Sequence, residues 1–600
     1  MIFAILFLLI FDMVTSDAAF STTNGFILYV INGGEGECGS WSDACGLQSA
    51  LLKANIGDQI WVSAGKYKPT VSTDRESTFN LKSGVSIYGG FPADGGEWDE
   101  RDWETHITIM SGDIGVPGDS TDNSYHVVTG NNVDETAVLD GFIISDGRAD
   151  GPAPHDGGAG MYNQNGNPTL SNLIFINNYA AGEGGGMNNY YSNPTLSHVT
   201  FRENTAIESG GGMNNRYSDN PILHDILFTD NLAIGDTYYS GGGGMANHAS
   251  NPEIYNVTFS RNRASDSSGG GIFNSASSPT IENVILEHNS AIHGGGVYNV
   301  DSNNPSITNS FFFENTADFG GGIATIRSNV TLNSVTFFGN FAGYGGGIEI
   351  NYSNPNLVNV TFSDNSADYG AAMRISYSSS PVLTNVSISG NTSRQHGGGI
   401  YNEWFNDGNP VIRNTILWGN IPDQINGNLT AEYSIIQGGY DGVEIIDLDP
   451  LLDDLQDNGG FTWTHGIRAG SPAIDSGNST YCPNYDQRFY VRPVDGDMDG
   501  EAICDIGAFE FGSVWDGYTL TTETIGNGSV SINPQKSGYH YGETVTLTGI
   551  PADNWSFEGW SGLITGTDNP VTIKFTSNVN IRAHFKQVFF QYYLPLIKLD

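Results

Sequence analysis

Three sets of residues in this chain have types and spacings that could do chemistry. The first is Asp495-Gly-Asp497-Met-Asp499-Gly500-Glu501, with Asp505 shortly after it. Alternating carboxylates followed by Gly are what a Ca²⁺ loop needs, because hard oxygen ligands must converge around a sharp turn. An EF-hand would carry a bidentate Glu at the twelfth position, where this chain has Ile506 with Asp505 beside it. The expectation is a structural Ca²⁺ clasp next to Cys504, and the plain alternative is an acidic solvated turn. The second set is Glu349, Arg374 and Glu403. Two carboxylates about 9.6 Å apart, as two coils of strand spacing would place them, suit an inverting glycosidase. Arg374 stands between them, and a Glu349–Arg374 ion pair accounts for both residues without catalysis. The third set is aromatic: Tyr191, Tyr217, Tyr352, Tyr377 and Trp404. Rings on successive coils could stack against sugars, or simply lie over turns.

All three sets are placed by a repeat. Ten triplets of small residues end at Gly160, Gly186, Gly212, Gly244, Gly271, Gly296, Gly322, Gly347, Ala372 and Gly399. Eight of the nine gaps are 25 to 27 residues and one is 32. A fixed period of this size means a solenoid in which each coil stacks only on its neighbours. The copies read nearly alike: Asn-Pro, a short apolar strand ending near Phe, an Asn three residues later, an Ala, the triplet, then Met, Ile or Val. The runs are too short and too β-branched for helices. Met161, Met187, Met213 and their counterparts are expected inside, and the residue after each, through Glu349, Arg374 and Tyr401, outside. The Asn column from Asn178 to Asn420 is expected to form an internal amide ladder that pairs turn backbone.

Composition narrows the partners. The 600 residues hold 66 acids against 23 bases, a net charge of −43, and no Lys lies between Lys82 and Lys536. Nucleic acid is excluded as a partner, since phosphate binding needs a basic face. Met1 to Val14 is almost wholly apolar and Ser16-Asp17-Ala18 closes it, which reads as a signal peptide over residues 1–18. The run is shorter than about 18 residues, so no integral membrane span is expected in the mature chain. Four cysteines form two sequence-local pairs, Cys38 with Cys45 and Cys482 with Cys504, as disulfides of a secreted chain would.

Phe201 to Ala206 followed by Gly210 to Met213 resembles the polymorphic outer-membrane protein repeat, and also right-handed parallel β-helix regions of the pectin-lyase-like superfamily. Gln48 to Ala54, Gly57 to Val62 and Gly65 to Tyr67 resemble the opening of such helices, where a short amphipathic helix caps the first coils. Asn458-Gly-Gly-Phe461, Gly470 to Asp475, Arg492-Pro493 and Cys504 to Glu510 resemble the choice-of-anchor Q domain, which implies a secreted or surface location. Gly559-Trp560-Ser-Gly562 and Ala583-His-Phe585 are similar to the divergent internalin B-type repeat. The superfamily includes polysaccharide lyases and hydrolases, but their catalytic strings are not matched here.

The expected fold is all-β: a right-handed parallel β-helix solenoid followed by a small C-terminal all-β domain. The expected units are a cap with first coils (27–150), glycine-triplet coils (151–430), the anchor-like region (431–512), the internalin-type repeat (516–587) and a tail (588–600). The expected role is a secreted or cell-surface, non-catalytic adhesin, glycan-binding module or stalk. Its partner would be an extracellular glycan or surface ligand, and its only cofactor a structural Ca²⁺. The alternative is a polysaccharide lyase or glycoside hydrolase.

Overall fold

A computed structural model describes residues 25–587 apart from 236–239, 515–516, 537, 540–542, 553, 565, 568 and 576–577. The segment expected to be a signal peptide (1–18) and the tail (588–600) lie outside the described residues. Among those described, 22, 13 and 10 strands form three parallel sheets. Each glycine-triplet coil contributes to all three, in a fixed order. In the coil that starts at Asn356, strand Asn356–Ser363 lies in wall 1, Ser366–Tyr369 in wall 2 and Met373–Ser376 in wall 3. Every strand pair in the three walls is parallel, and all but two keep one register throughout, as Leu332↔Leu357↔Leu383 illustrates. The architecture is a parallel β-helix.

The short corners follow from the repeat. Each Asn sits just after wall 1, and its side chain donates to the equivalent Asn one coil on. From Asn178 to Asn420 the nine Nδ2–Oδ1 distances run 2.9–3.1 Å. The second amide hydrogen reaches a wall 1 carbonyl of the preceding coil, as Asn315 Nδ2 does to Leu286 O at 2.8 Å. The expected ladder is present. The triplet makes the next corner: Gly320 has φ +67°, and a Cβ on Gly321 would fall 2.5 Å from the carbonyl oxygen of Gly346. The third glycine of most triplets lies under the wall 1 ring of the next coil, so a Cβ on Gly347 would meet Phe362 Cδ1 at 2.7 Å. Ala372 is admitted where that ring is replaced by Ile388. Ala371 lies beneath the one wall 2 strand pairing whose register shifts.

The core is a column of stacked side chains. Phe175, Phe201, Phe228 and Phe259 stack at 4.7–4.8 Å, as do Phe312, Phe337 and Phe362 at 4.7 Å. Helix α1 (Leu47–Lys53) closes the amino-terminal end with Leu47, Ala50 and Leu51. The helix continues past the glycine-triplet coils, because Thr430–Ile436 and Val443–Ile446 still pair in parallel in wall 1. The chain then turns back. Residues 449–511 form a strap along the outer face of wall 1, rather than a unit set apart from it. Gln487 accepts from Thr361 Oγ1 and donates to Thr336 Oγ1, both at 2.7 Å, and Asn385 donates to Asp505 O at 2.9 Å. The Cys482–Cys504 disulfide lies in the strap and Cys38–Cys45 beside the cap. Residues 518–587 form two three-stranded sheets around Leu547, Trp560, Phe575 and Phe585. Among the described residues no helix is long and apolar enough to cross a membrane.

Candidate functional site

Wall 3 turns away from the core at alternate positions, yet its outer column is not exposed. Asn214, Ala246, Phe273, Tyr298 and Ala324 are fully buried, and Glu349 and Arg374 nearly so. This corrects the expectation of an open surface. The positive-φ glycine bends the chain so that the outer faces of walls 2 and 3 meet in a concave corner. Tyr344 of wall 2 lies under the Arg374 guanidinium at 4.7 Å, and Tyr369 packs on Tyr401 at 5.4 Å.

Glu349, Arg374 and Glu403 are brought together at that corner as a closed ion triad. Arg374 Nη1 donates to Glu349 Oε1, while Nε donates to Glu403 Oε1 at 2.9 Å and Nη2 to the same oxygen. Burial pushes the Glu349 carboxyl up to about 8 against the pull of Arg374, with the Glu403 charge adding to the rise. A glycosidase needs room for a sugar and a water between two carboxyls. Here a guanidinium fills that space.

The five aromatic residues are exposed, and they divide. Tyr191 stacks on Tyr217 at 5.2 Å and Tyr352 on Tyr377 at 5.0 Å, with interplanar angles of 20° and 14°. Each of these rings spends a face on its neighbour. Between the two pairs the column holds Ala249, Ala276 and the Asp301–Arg327 ion pair at 2.5 Å, so no continuous platform forms. Trp404 differs. It is 88% exposed and touches Phe405 edge to face at 5.4 Å, which leaves its indole faces to solvent. Beside it lies a cleft of about 370 Å³ lined by Asn402, Glu403, Asn406, Asp407, Asn426 and Asn428, among others.

The acidic loop gathers a different set from the one its sequence suggests. Asp475, Asp495 and Asp497 bring one oxygen each within 4.8 Å of one another. Asp475 Oδ2 also accepts from Gly496 N at 2.8 Å and Asp497 N at 2.9 Å. Asp499 and Glu501 are exposed at the loop's far side. Asp505 points the other way: it is fully buried, accepts from Asp475 N at 2.8 Å, and faces the Arg492–Glu510 pair. Burial, then the Glu510 charge, push its carboxyl up to about 8. It is a core residue of the strap. Asp475 takes its place, a residue only twenty positions upstream of Asp495 but in a separate motif.

A further cleft, of about 460 Å³, lies on the outer face of wall 1 where the strap ends. A mid-strand column in left-handed conformation, including His198, Asp225, Asn256, Asn283 and Asn309, lines it. His224 Nδ1 lies 2.6 Å from Asp225 Oδ2, and Lys536 pairs with Glu543 at 2.6 Å on the opposite side. Its acids are thus already paired. The column is visible in the sequence as the residue, most often Asn, three positions before the wall 1 Phe or its aliphatic counterpart, of which Asn256, Asn359 and Asn385 carry glycosylation sequons. Asn359 and Asn385 are buried under the strap, donating to Tyr485 O and Asp505 O.

Comparison with known proteins places two parts of the chain. The divergent InlB B-repeat domain model matches residues 518–589. The Chlamydia polymorphic membrane protein repeat model matches residues 256–275 and 385–403. Among solved structures, the chain is similar to pectate lyase Pel9A at 13% identity, with a TM-score of 0.27, covering 82% of this chain and 97% of that one. It is similar to a rhamnogalacturonan lyase at 12% identity, with a TM-score of 0.20, covering 65% and 87% respectively. No curated protein matches it.

Proposed function

We propose that this chain is a secreted or cell-surface solenoid that binds glycan without cleaving it. The observation that carries this reading is Trp404, a solvent-facing indole beside a cleft rich in amides. An exposed aromatic face next to hydrogen-bonding groups suits the apolar face and the hydroxyls of a sugar ring. The non-catalytic part rests on the triad, where Arg374 occupies the space between the two acids. The test is a glycan array run with the full chain, with Trp404→Ala, and with Tyr352→Ala/Tyr377→Ala. Loss of signal in the first variant and its retention in the second supports the cleft. Retention in Trp404→Ala removes it, and release of reducing ends from any bound glycan would remove the non-catalytic reading.

With this we carry a structural Ca²⁺ clasp at Asp475, Asp495 and Asp497, which would tie the strap's loop to its core. A melting temperature unchanged by chelator would end that part of the proposal.

A further inference from the structure

The small C-terminal domain rests against wall 1, and a single ammonium group stands at the centre of the contact. In its strands Thr544–Pro551 and Val571–Lys574, Thr544 lies directly opposite Lys574. Their side chains therefore leave the same face of that sheet, and they land on adjacent coils of the solenoid. Thr544 Oγ1 accepts from Asn256 Nδ2 at 2.9 Å, and Lys574 Nζ donates to Glu282 Oε2. The same ammonium stands 4.9 Å from the centroid of the Tyr255 ring. Tyr255 and Glu282 are register neighbours in wall 1, and the Tyr255 hydroxyl donates to Glu253 Oε2 at 3.4 Å. Burial, then the charges of Glu253 and Glu282, push that hydroxyl up to about 12, so the ring keeps its proton. A carboxylate beside an aromatic face makes a socket for an ammonium group.

Apolar packing does not fasten the domain. Its core, with Leu547, Trp560 and Phe575, contains no solenoid residue, and the solenoid's core contains none of the domain's. The cleft of about 460 Å³ lies between the facing surfaces, with His198 and Asp225 on one side and Lys536 and Thr546 on the other. Residues 518–587 hold five acids and four bases, so no general attraction draws them to an acidic solenoid. The strap is attached differently: Thr336 and Thr361 beneath it are fully buried and bonded to Gln487. A polar contact with no shared core is the kind across which domains move. We propose that the C-terminal domain is a releasable arm, latched to wall 1 by Lys574 in the Tyr255–Glu282 socket. It exchanges between this docked state and a free one in which the cleft of wall 1 lies open.

Double electron–electron resonance on the full chain tests this, with spin labels at Asn304→Cys on the solenoid and Ser529→Cys on the domain, both exposed positions. The parent is expected to give a short, narrow distance with a minor component that is longer and broader. Lys574→Ala should raise the longer component relative to the short one by about tenfold or more. Glu282→Gln, made on the solenoid side, carries the same expectation and cannot act by loosening the domain's own fold. The charge exchange Glu282→Lys with Lys574→Glu should return the short distance. A distance unchanged in both single variants overturns the latch, because something other than the socket then fixes the domain. A parent that is broad throughout overturns the docked state itself. A charge exchange that stays broad while the near-ultraviolet circular dichroism of the domain is kept overturns the pairing of Lys574 with Glu282.

Discussion

The inside of the coil and most of the concave corner outside it are buried, yet they keep their residues in opposite ways. Inside, the Asn column repeats without exception from Asn178 to Asn420. In the corner the column runs Asn188, Asn214, Ala246, Phe273, Tyr298, Ala324, Glu349, Arg374 and Tyr401, and only Asn188 and Asn214 repeat a residue on adjacent coils. Burial alone does not enforce repetition. The inner amides bond to copies of themselves, so each must be the same residue as the one above and below. The corner residues need only suit an adjacent partner, as Arg374 suits Glu349 and Tyr344. Self-complementary stacking fixes a column, whereas pairwise complementarity frees it, and residues that occur once are where a solenoid can place function.

The largest effect that would test this contrast is Asn315→Ala. Asn315 Oδ1 accepts from both Asn289 N and Asn289 Nδ2 at 3.0 Å, and its Nδ2 serves Leu286 O at 2.8 Å and Asn340 Oδ1 at 3.1 Å. Removing it strands several buried polar groups, each at about 1–3 kcal/mol. Chemical denaturation should show a loss of roughly 3–6 kcal/mol, and a loss under about 1 kcal/mol would mean the ladder can be skipped at one rung.

The corner triad predicts a pH dependence that the inner ladder lacks. Glu349 has its carboxyl raised to about 8 in the folded chain, above the unfolded range near about 4.5. Between those values the unfolded chain holds fewer protons at this site, so stability falls as pH rises. The contribution is full below the unfolded value and is lost as pH passes through the folded one. Glu349→Gln should flatten the slope of unfolding free energy against pH within this window. An unchanged slope would show Glu349 to be ionised throughout.

How much of this could be read from residues alone follows from the same contrast. The Asn and Phe columns were legible because self-stacking leaves a period in the sequence. A second inner ladder, Asn163 to Asn299 with bonds of 2.8–2.9 Å, went unread, because it ends after six copies and sits between two columns taken as outer. Strand alternation already placed it inside. The burial of the corner was not legible, since it depends on the angle the glycine turn sets between two walls. Nor was the strap, whose contacts join residues more than a hundred positions apart, as Thr361 and Gln487 are. Asp505 was misplaced for the same reason: local spacing put it on the acidic loop, and packing against Arg492 and Glu510 turned it inward.

A smaller effect addresses the glycine column. In Gly347→Ala the new methyl meets the Phe362 ring and the Ala372 carbonyl oxygen, an overpacking of about 1–3 kcal/mol. The natural pairing of Ala372 with Ile388 predicts that Phe362→Ile relieves the ring's share. The double variant should then be less destabilised than the sum of the singles by about 0.5 kcal/mol or more. Strict additivity would mean that the ring edge and the triplet are independent, and that Ala372 owes its place to something other than Ile388.

The smallest expected effect lies on the outer turn. Tyr352 and Tyr377 both have φ +48°, and the column from Tyr191 to Tyr377 keeps φ between +48° and +54° without using a single glycine. Left-handed backbone favours Gly or Asn, so tyrosine is not there for the turn. Tyr352→Asn would gain backbone preference and lose a stacked ring worth about 0.5–1.5 kcal/mol. The two nearly cancel, and stability should stay within about 0.5 kcal/mol of the parent in thermal denaturation. Glycan binding should also be unchanged, because the stacked ring has already spent a face on Tyr377 and the free indole is at Trp404. If binding falls while stability holds, recognition extends along the tyrosine wall, and a column that twice repeats its residue would be doing so for a ligand.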